Sequence, residues 1–383
     1  MALGASGGRW LRWGTALVDG LLRAFYEVGY YIEHLSVMAL EAVERMRQRL
    51  DPRLYRETRR VRTVTEGRLT KDTARFVVLV LYTRGDVPGF TRTFIEALRR
   101  SRFNLVIVSN GELAPSAISN LLDRCCMLIE RENVGQDFGG YKDGISILRR
   151  RGRIERLVLA NDSVFYLPSG LDKLIADLDR DDDVIGVSET CDHHYHVASF
   201  LMSFGSRVVE STAFRQFWAR YRPIGTRRWA IFHGEGALTA MLLRAGFRPC
   251  VLFRAADIGV RLRGCAPDEA ATASSLLPPR SRRRVKAQME TADAPALADS
   301  VVAAIMAGNQ MHAGGFLFRR YFGLPLVKRD ILYRDIYPLD DISDVLADVE
   351  PALRGEILGD IERRGSINGL GAYRRILSRH SAA

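Results

Sequence analysis

The sequence predicts an α/β fold built on a mostly parallel sheet flanked by helices. Three observations carry that prediction. Short, unbroken apolar runs rich in β-branched residues recur between residues 76 and 160, as in strands buried on both faces. Helix-length amphipathic segments separate them, the pattern of strand–helix–strand units. Each run ends in a polar or glycine-rich segment, where open parallel sheets place their ligands.

Residues 1–70 read as a helical N-terminal region. Leu21, Leu22, Phe25, Tyr26, Val28, Tyr31, Ile32, Leu35, Met38, Val43 and Met46 follow roughly three-to-four spacing. Trp10 and Trp13 lie among Arg9 and Arg12. These features suit an interfacial membrane anchor, a helical hairpin packed on the body or a partner-binding helix. The main domain is expected over 71–265. Its first strand is Phe76–Tyr82, followed by a loop with Pro88 and a helix Gly89–Arg100. Strand Phe103–Ser109, a helix near Pro115–Cys125, strand Met127–Glu130, a helix near Tyr141–Arg150 and strand Arg156–Ala160 continue the alternation. Beyond it come a helix Ser169–Leu178, a strand Val184–Ser188 and a strand or strand pair within His193–Phe204. Helices are expected near Val208–Arg220 and Gly236–Ala245. Residues 266–300, rich in Ala, Ser, Pro and Arg, read as a flexible basic insertion. Residues 301–383 read as a C-terminal helical part that completes the domain.

The net charge of the 383 residues is +11. Residues 1–70 carry twelve Arg against eight acids, a net +4, and Arg280, Arg282, Arg283, Arg284 and Lys286 add +5. The remainder is close to neutral, so the body is not a basic nucleic-acid platform; no helix-turn-helix or zinc finger is legible either. Five cysteines with no C-x-x-C pair argue against a structural zinc site and suit a reducing compartment. With no secretory leader pattern and no long apolar span, the sequence predicts a cytoplasmic protein.

Four clusters carry chemistry. Glu132-Asn-Val-Gly-Gln-Asp-Phe-Gly-Gly-Tyr-Lys-Asp-Gly144 follows a strand. Its glycines permit a tight turn and close backbone approach. Asn133 and Asp137 could hold a ribose or base edge, and the following helix start could face a phosphate. The segment is neither a P-loop nor a G-x-G-x-x-G fingerprint. Asn161-Asp162-Ser163 ends the next strand, where carboxylate and amide oxygens suit a divalent cation or a ligand hydroxyl; the bland alternative is a turn cap. His233-Gly-Glu235 opens an amphipathic helix, with Glu235 either a dipole partner or a general base. Trp229 and His233 would wall an acceptor site. Asp192-His193-His194-Tyr195-His196 invites a metal, but alternation splits its histidines between two faces, so an acceptor-facing strand with His196 is the better reading.

ENVGQDFGGYKDGI (Glu132–Ile145) with LANDSVFYLP (Leu159–Pro168) resembles the rhamnan synthesis protein F family of bacterial polysaccharide glycosyltransferases. The resemblance continues through His196–Phe204, HGEGALTAMLLRAGF (His233–Phe247) and Leu324-Pro-Leu-Val-Lys-Arg329, and does not include residues 1–70. It implies a GT-A-like, Rossmann-type fold. It also implies transfer of a sugar, rhamnose or a related deoxyhexose, from a nucleotide-sugar donor to a lipid-linked or growing surface glycan such as an O-antigen. On that analogy Thr83, Asn133, Gly135, Asp137, Tyr141, Asn161 and Ser163 bind the donor. Asp162 supports the leaving nucleotide and any metal, and Glu235 is the base of an inverting displacement. His196, Trp229 and His233 meet the acceptor. The usual D-x-D reads N-D-S here, one carboxylate rather than two. The expected cofactor is therefore Mg2+ or Mn2+, or none, with Arg84 or Lys142 on the diphosphate instead. Peripheral contact with the cytoplasmic face of the inner membrane would bring the lipid-linked acceptor within reach. The rival reading is a non-catalytic nucleotide- or glycan-binding subunit of a polysaccharide assembly complex.

Overall fold

The computed structural model describes residues 32, 35–51, 56–191, 194–289, 294–334 and 336–365. Twelve strands are numbered in chain order. They are β1 Val61–Glu66, β2 Arg75–Leu81, β3 Asn104–Ser109, β4 Met127–Arg131, β5 Arg156–Asn161, β6 Val164–Tyr166, β7 Val184–Gly186, β8 Glu189–Thr190, β9 His196–Val197, β10 Leu201–Gly205, β11 Pro249–Val251 and β12 Leu326–Lys328. Eight of them form one sheet in the order β1-β4-β3-β2-β5-β10-β7-β11. β4, β3, β2 and β5 run parallel, as do β7 and β11, while β1 and β10 are antiparallel to their neighbours. This is the mostly parallel α/β fold that the sequence predicts.

The central strands explain themselves. Val77 to Leu81 are buried on both faces, Val77, Leu79 and Leu81 in one core and Val78 and Val80 in the other. Such burial excludes polar residues from the strand middle and confines them to its ends. Helices Gly89–Arg100, Pro115–Leu122 and Leu171–Asp177 cover the first face; Gln136–Arg151 and Thr212–Arg220 cover the second. The chain crosses from β2 to β3 and β4 on one side and to β5 on the other. Ligand sites form at such a switch point, outside the carboxyl ends of the strands.

Three expectations are corrected. Residues 61–66, read as the end of a helical region, are instead the edge strand β1, antiparallel to β4. Apart from half-buried Val61, β1 is exposed throughout, and Arg62, Thr63, Thr65 and Glu66 give it the polar dress of a protected edge. Residues 266–300, read as a flexible insertion, hold three helices, Pro267–Ser275, Pro279–Met289 and Ala294–Met306. Their Ala273, Leu277, Val285, Leu297 and Val301 are buried in the first core. Alanine is a strong helix former, and here that propensity outweighs the composition of a linker. The helix expected at Tyr141 begins earlier, at Gln136, so the polar half of the glycine-rich segment is its first turn. A third core gathers Phe90, Phe165, Phe316 and Tyr337 under the closing helices Leu339–Val345 and Pro351–Arg364. Residues 1–31, with Trp10 and Trp13, and Asp192 and His193 lie outside the described residues.

Candidate functional site

The turn after β4 is shaped by backbone and by a buried ion network. Gly135 has φ 79°, and a Cβ there would lie 2.4 Å from the Pro223 side chain. Gln136 follows with φ 52°, a conformation that a side-chain-bearing residue rarely adopts, so the surroundings hold it. Its side chain donates to Gly225 O at 3.0 Å, and Asn110 donates to its carbonyl at 3.2 Å. Beneath the turn, Arg131 donates to Asp143 (2.9 Å), Asn110 (2.5 Å) and Val134 O (2.7 Å). Arg60 also pairs with Asp143. Asp143 and Arg131 are fully buried and each Arg131 side-chain nitrogen has an acceptor, as buried charge requires. The remaining glycines serve the protein rather than a ligand. A Cβ at Gly140 would lie 2.8 Å from Val80, so the helix lies hard against β2.

This places Asp137 in the first turn of the helix Gln136–Arg151, facing a cavity of about 250 Å³. Asn161, at the end of β5, donates to Asp137 Oδ2 at 2.9 Å and accepts from the Ser163 hydroxyl at 2.6 Å and the Ser163 N–H at 3.0 Å. The two clusters that the sequence presents 24 positions apart therefore share a hydrogen bond. Burial pushes the Asp137 carboxyl up to about 7, with the Asp162 and Glu235 charges adding to the effect.

Glu235 sits in a π-helical turn, Ala230–Gly236, a local irregularity often found at functional sites. Its Oε1 accepts from the Ser199 N–H (3.1 Å) and hydroxyl (2.6 Å), and His196 Nε2 lies 3.5 Å from its Oε2. Burial raises the carboxyl, but hydrogen bonds from His196 and Ser199 outweigh it, so Glu235 stays below the ordinary carboxylate range and is ionised. The Tyr141 hydroxyl donates to Ser199 O at 3.0 Å.

The opposite wall is cationic. Lys328, the last residue of β12, sits 4.9 Å over the Phe200 ring and 3.4 Å from the Ser163 hydroxyl; burial pushes its ammonium down. Arg227 and Arg334 line the same cavity. Asp330 holds this wall, accepting from Arg334 at 2.6 Å and Arg227 at 3.4 Å, with His312 Nε2 at 2.8 Å. Burial raises the Asp330 carboxyl, but His312 and these cations carry it far below its usual range. Asn309 caps the helix Gln310–Phe322 by accepting from the N–H groups of Met311 and His312, at 3.1 and 3.2 Å.

Several predicted residues lie elsewhere. Asp162 is turned inward: its Oδ2 accepts from the Tyr82 N–H at 3.1 Å, and Arg329 stands 3.4 Å away, itself locked to Asp360 at 3.0 Å. Asn161 and Ser163, not Asp162, line the cavity. Among the described residues no three His, Cys, Asp or Glu side chains gather as a metal set. A divalent cation on Asp162 would have to displace Arg329 and the Tyr82 N–H, so this donor set fits one poorly. Tyr141 is fully buried behind Ser199 and does not line the cavity. Thr83 donates to Asp86 O at 3.1 Å within its own loop, Asn133 is exposed, and Gly135 shapes the turn. Lys142 donates to the carbonyls of Trp218, Ala219 and Tyr221, capping a helix end, and Arg84 is exposed. Trp229 and His233, their rings tilted by 31° with centroids 3.7 Å apart, line a separate groove of about 550 Å³ with Phe217, Arg220, Arg222 and Arg244. Sequence reasoning missed Ser199, Arg227, His312 and Arg334. Lys328 was visible in the Leu324–Arg329 segment, but nothing there said what it faces.

Residues 105–270 match the family described as Rhamnan synthesis protein F, so the family resemblance is borne out over that stretch. Uncharacterized protein y4gN of Sinorhizobium fredii is 30% identical over 203 residues, 51% of this chain and 52% of that protein. Virulence protein VirA of Vibrio anguillarum is 34% identical over 117 residues, 30% of this chain and 36% of the relative. The chain thus spans about half, or less, of the length of the curated relatives it matches. Among solved structures, a chain from Desulfovibrio desulfuricans G20 described as a nucleotide-diphospho-sugar transferase is 15% identical. It covers 46% of this chain and 79% of its own length, with a TM-score of 0.31. S. aureus TarS residues 1–349 are 12% identical, covering 79% of this chain and 91% of that one, with a TM-score of 0.28.

Proposed function

We propose that the protein is a glycosyltransferase that moves a sugar from a nucleotide-diphosphate donor to a growing cell-surface glycan. The observation that carries this reading is the cavity at the switch point, where an ionised Glu235 faces both the Asp137–Asn161 pair and the Lys328 wall. The family match over 105–270 supports it. Asp137 and Asn161 would hold donor hydroxyls or the base edge. Lys328, Arg227 and Arg334 would neutralise the diphosphate, as paired cations do for phosphate oxygens. Glu235 Oε2 would accept the acceptor hydroxyl proton as that oxygen bonds to the anomeric carbon. The bond from that carbon to the diphosphate breaks, and its electron pair leaves with the nucleotide. Such a single displacement inverts the anomeric centre.

The finer parts of the reading follow the family resemblance. The donor sugar would be rhamnose or a related deoxyhexose. The acceptor would be a lipid-linked O-antigen or related chain, met at the cytoplasmic face of the inner membrane. With Asp162 engaged by Arg329, the leaving diphosphate would rely on side-chain cations rather than Mg2+ or Mn2+. The test is transfer from a panel of nucleotide sugars, with and without EDTA, on wild type, Glu235→Gln and Lys328→Met. Transfer that survives EDTA and fails in both variants is the expected result. Full activity in Glu235→Gln overturns the assignment of the base, and loss with EDTA overturns the cation assignment.

One observation favours the second reading, a non-catalytic nucleotide- or glycan-binding subunit. The hydrogen bonds that keep Glu235 ionised also make it a weaker base. Tight nucleotide binding without turnover on any donor would decide for it.

A further inference from the structure

The helix over 35–50 faces the wrong way for a helix of a water-surrounded protein. Helices normally turn their apolar stripe inward and their polar face to solvent. Here Glu41 and Gln48, seven positions and about two turns apart, are buried at 2% and 8% exposure. Glu41 pairs with Arg228 and accepts from the Thr226 hydroxyl at 2.6 Å, and Gln48 donates to Pro223 O at 3.4 Å. The polar side is thus the docked side, and these contacts fix the helix's rotation. The opposite side carries Leu35, Val43, Met46 and Leu50, exposed by 45% to 77%. Seven of the fifteen exposed large apolar residues among those described fall between Ile32 and Leu50. Exposed apolar residues scattered singly are ordinary; a stripe of them on one helix is not.

Charge selects the occupant. Arg45, Arg47 and Arg49 are exposed along this helix, and the guanidinium of Arg45 lies 5.7 Å over Trp229. Trp229 is the floor of the aromatic groove, whose rim carries Arg220, Arg222 and Arg244, all exposed, and no acidic side chain. An apolar stripe bordered by arginines matches an anionic lipid surface, with acyl chains under the leucines and headgroups at the guanidinium level. No helix among the described residues is long and apolar enough to cross a membrane, so the contact would lie in the interface plane.

We propose that the 35–50 helix binds anionic membrane surfaces through its outward Leu35–Met46–Leu50 stripe, bringing the aromatic groove to the headgroups. This deepens the location proposed above but rests on the helix face, not on the chemistry of the cavity. The test is co-sedimentation of the full chain with vesicles of phosphatidylcholine alone or mixed with phosphatidylglycerol. Wild type should bind the anionic vesicles, less strongly as salt is added. Leu35→Gln/Met46→Gln/Leu50→Gln should lose at least about tenfold in partitioning, with its melting temperature unchanged because the three side chains are exposed. Arg47→Gln/Arg49→Gln should lose about fivefold per arginine and only on anionic vesicles. The proposal is overturned if wild type binds neither vesicle or if the triple variant binds like wild type. It is equally overturned if the stripe proves to be a contact between copies, seen as a dimer that the triple variant dissociates and that ignores vesicles. Because none of these readouts involves a nucleotide sugar, they cannot be confused with failure of the catalytic reading.

Discussion

The two walls of the cavity are built in different ways. The acid and amide wall, Asp137, Asn161 and Ser163, comes from two consecutive strand ends of the parallel sheet. Each residue is placed by its own turn, and the wall rests on the buried Arg60–Asp143–Arg131 network. The cationic wall, Arg227, Lys328 and Arg334, is gathered from segments about a hundred positions apart and held by one carboxylate, Asp330. Glu235 stands between them, tied to Ser199 and His196. The difference teaches that strand-end polarity supplies hydrogen-bonding groups locally, whereas the charge that would meet a diphosphate is a product of long-range assembly.

The comparison can be broken most sharply where the walls meet. Glu235→Gln keeps shape but removes the proton acceptor. Transfer should fall about 10²–10⁴-fold while donor affinity, measured calorimetrically, stays within about threefold. A rate within tenfold of wild type would remove Glu235 from the chemistry. Next in size is the foundation of the first wall. Asp143→Ala would leave Arg60 and Arg131 buried without their shared carboxylate, and stability in urea should drop by about 3–5 kcal/mol. A loss below about 1 kcal/mol would mean that the network does not support the turn. The second wall is sharpened by Lys328→Met, which should weaken nucleoside-diphosphate binding about 10-fold to 100-fold while leaving nucleoside binding alone, since only the former carries the anion. Equal losses for both ligands would place Lys328 at the base or ribose instead.

The smallest effect concerns Asp137. Its folded carboxyl titrates near 7, above the value of an unfolded aspartate, so between about pH 4 and 7 the folded state holds the extra proton. Stability contributed by this group is present at low pH and is lost as pH rises through 7. Asp137→Asn should therefore raise the melting temperature at pH 8 but not at pH 4. The gain should be on the order of 2 kcal/mol, about half the unscreened linkage value, because the carboxyl borders the open cavity. An equal shift at both pH values would show that the carboxylate is not strained by its burial.

Much of the first wall was legible in the sequence. Phe76–Tyr82 and Arg156–Ala160 announce buried parallel strands, and the polar segments after β4 and β5 had to lie at one sheet edge. Their roles were less legible. Asp162 looks like the ligand of N-D-S, yet Asn161 and Ser163 take that position, because each one-residue step along extended chain reverses which side chain faces the cavity. The glycines of the G-G-Y-K-D-G run read as a ligand cradle, but Gly140 answers to Val80. Trp229 and His233 lie six and two positions before Glu235 in sequence, yet the π-turn sends them into another groove.

The sequence by itself determined the central strands of the sheet, the helices between them and the polar strand ends, because burial on two faces and helical periodicity are local properties that residue order records directly. Tertiary structure alone decided which polar groups share a cavity and which are consumed in holding it. Asp162 and Lys142 are spent on Arg329 and on helix carbonyls, while Ser199, Arg227 and Lys328 are brought to Glu235 and Asp137. The same holds for the 35–50 helix: its apolar stripe is written in the sequence, but only the docking of Glu41 and Gln48 decides that the stripe faces outward. Partners that lie far apart in sequence meet only once the chain has closed on itself, and no local pattern encodes that meeting.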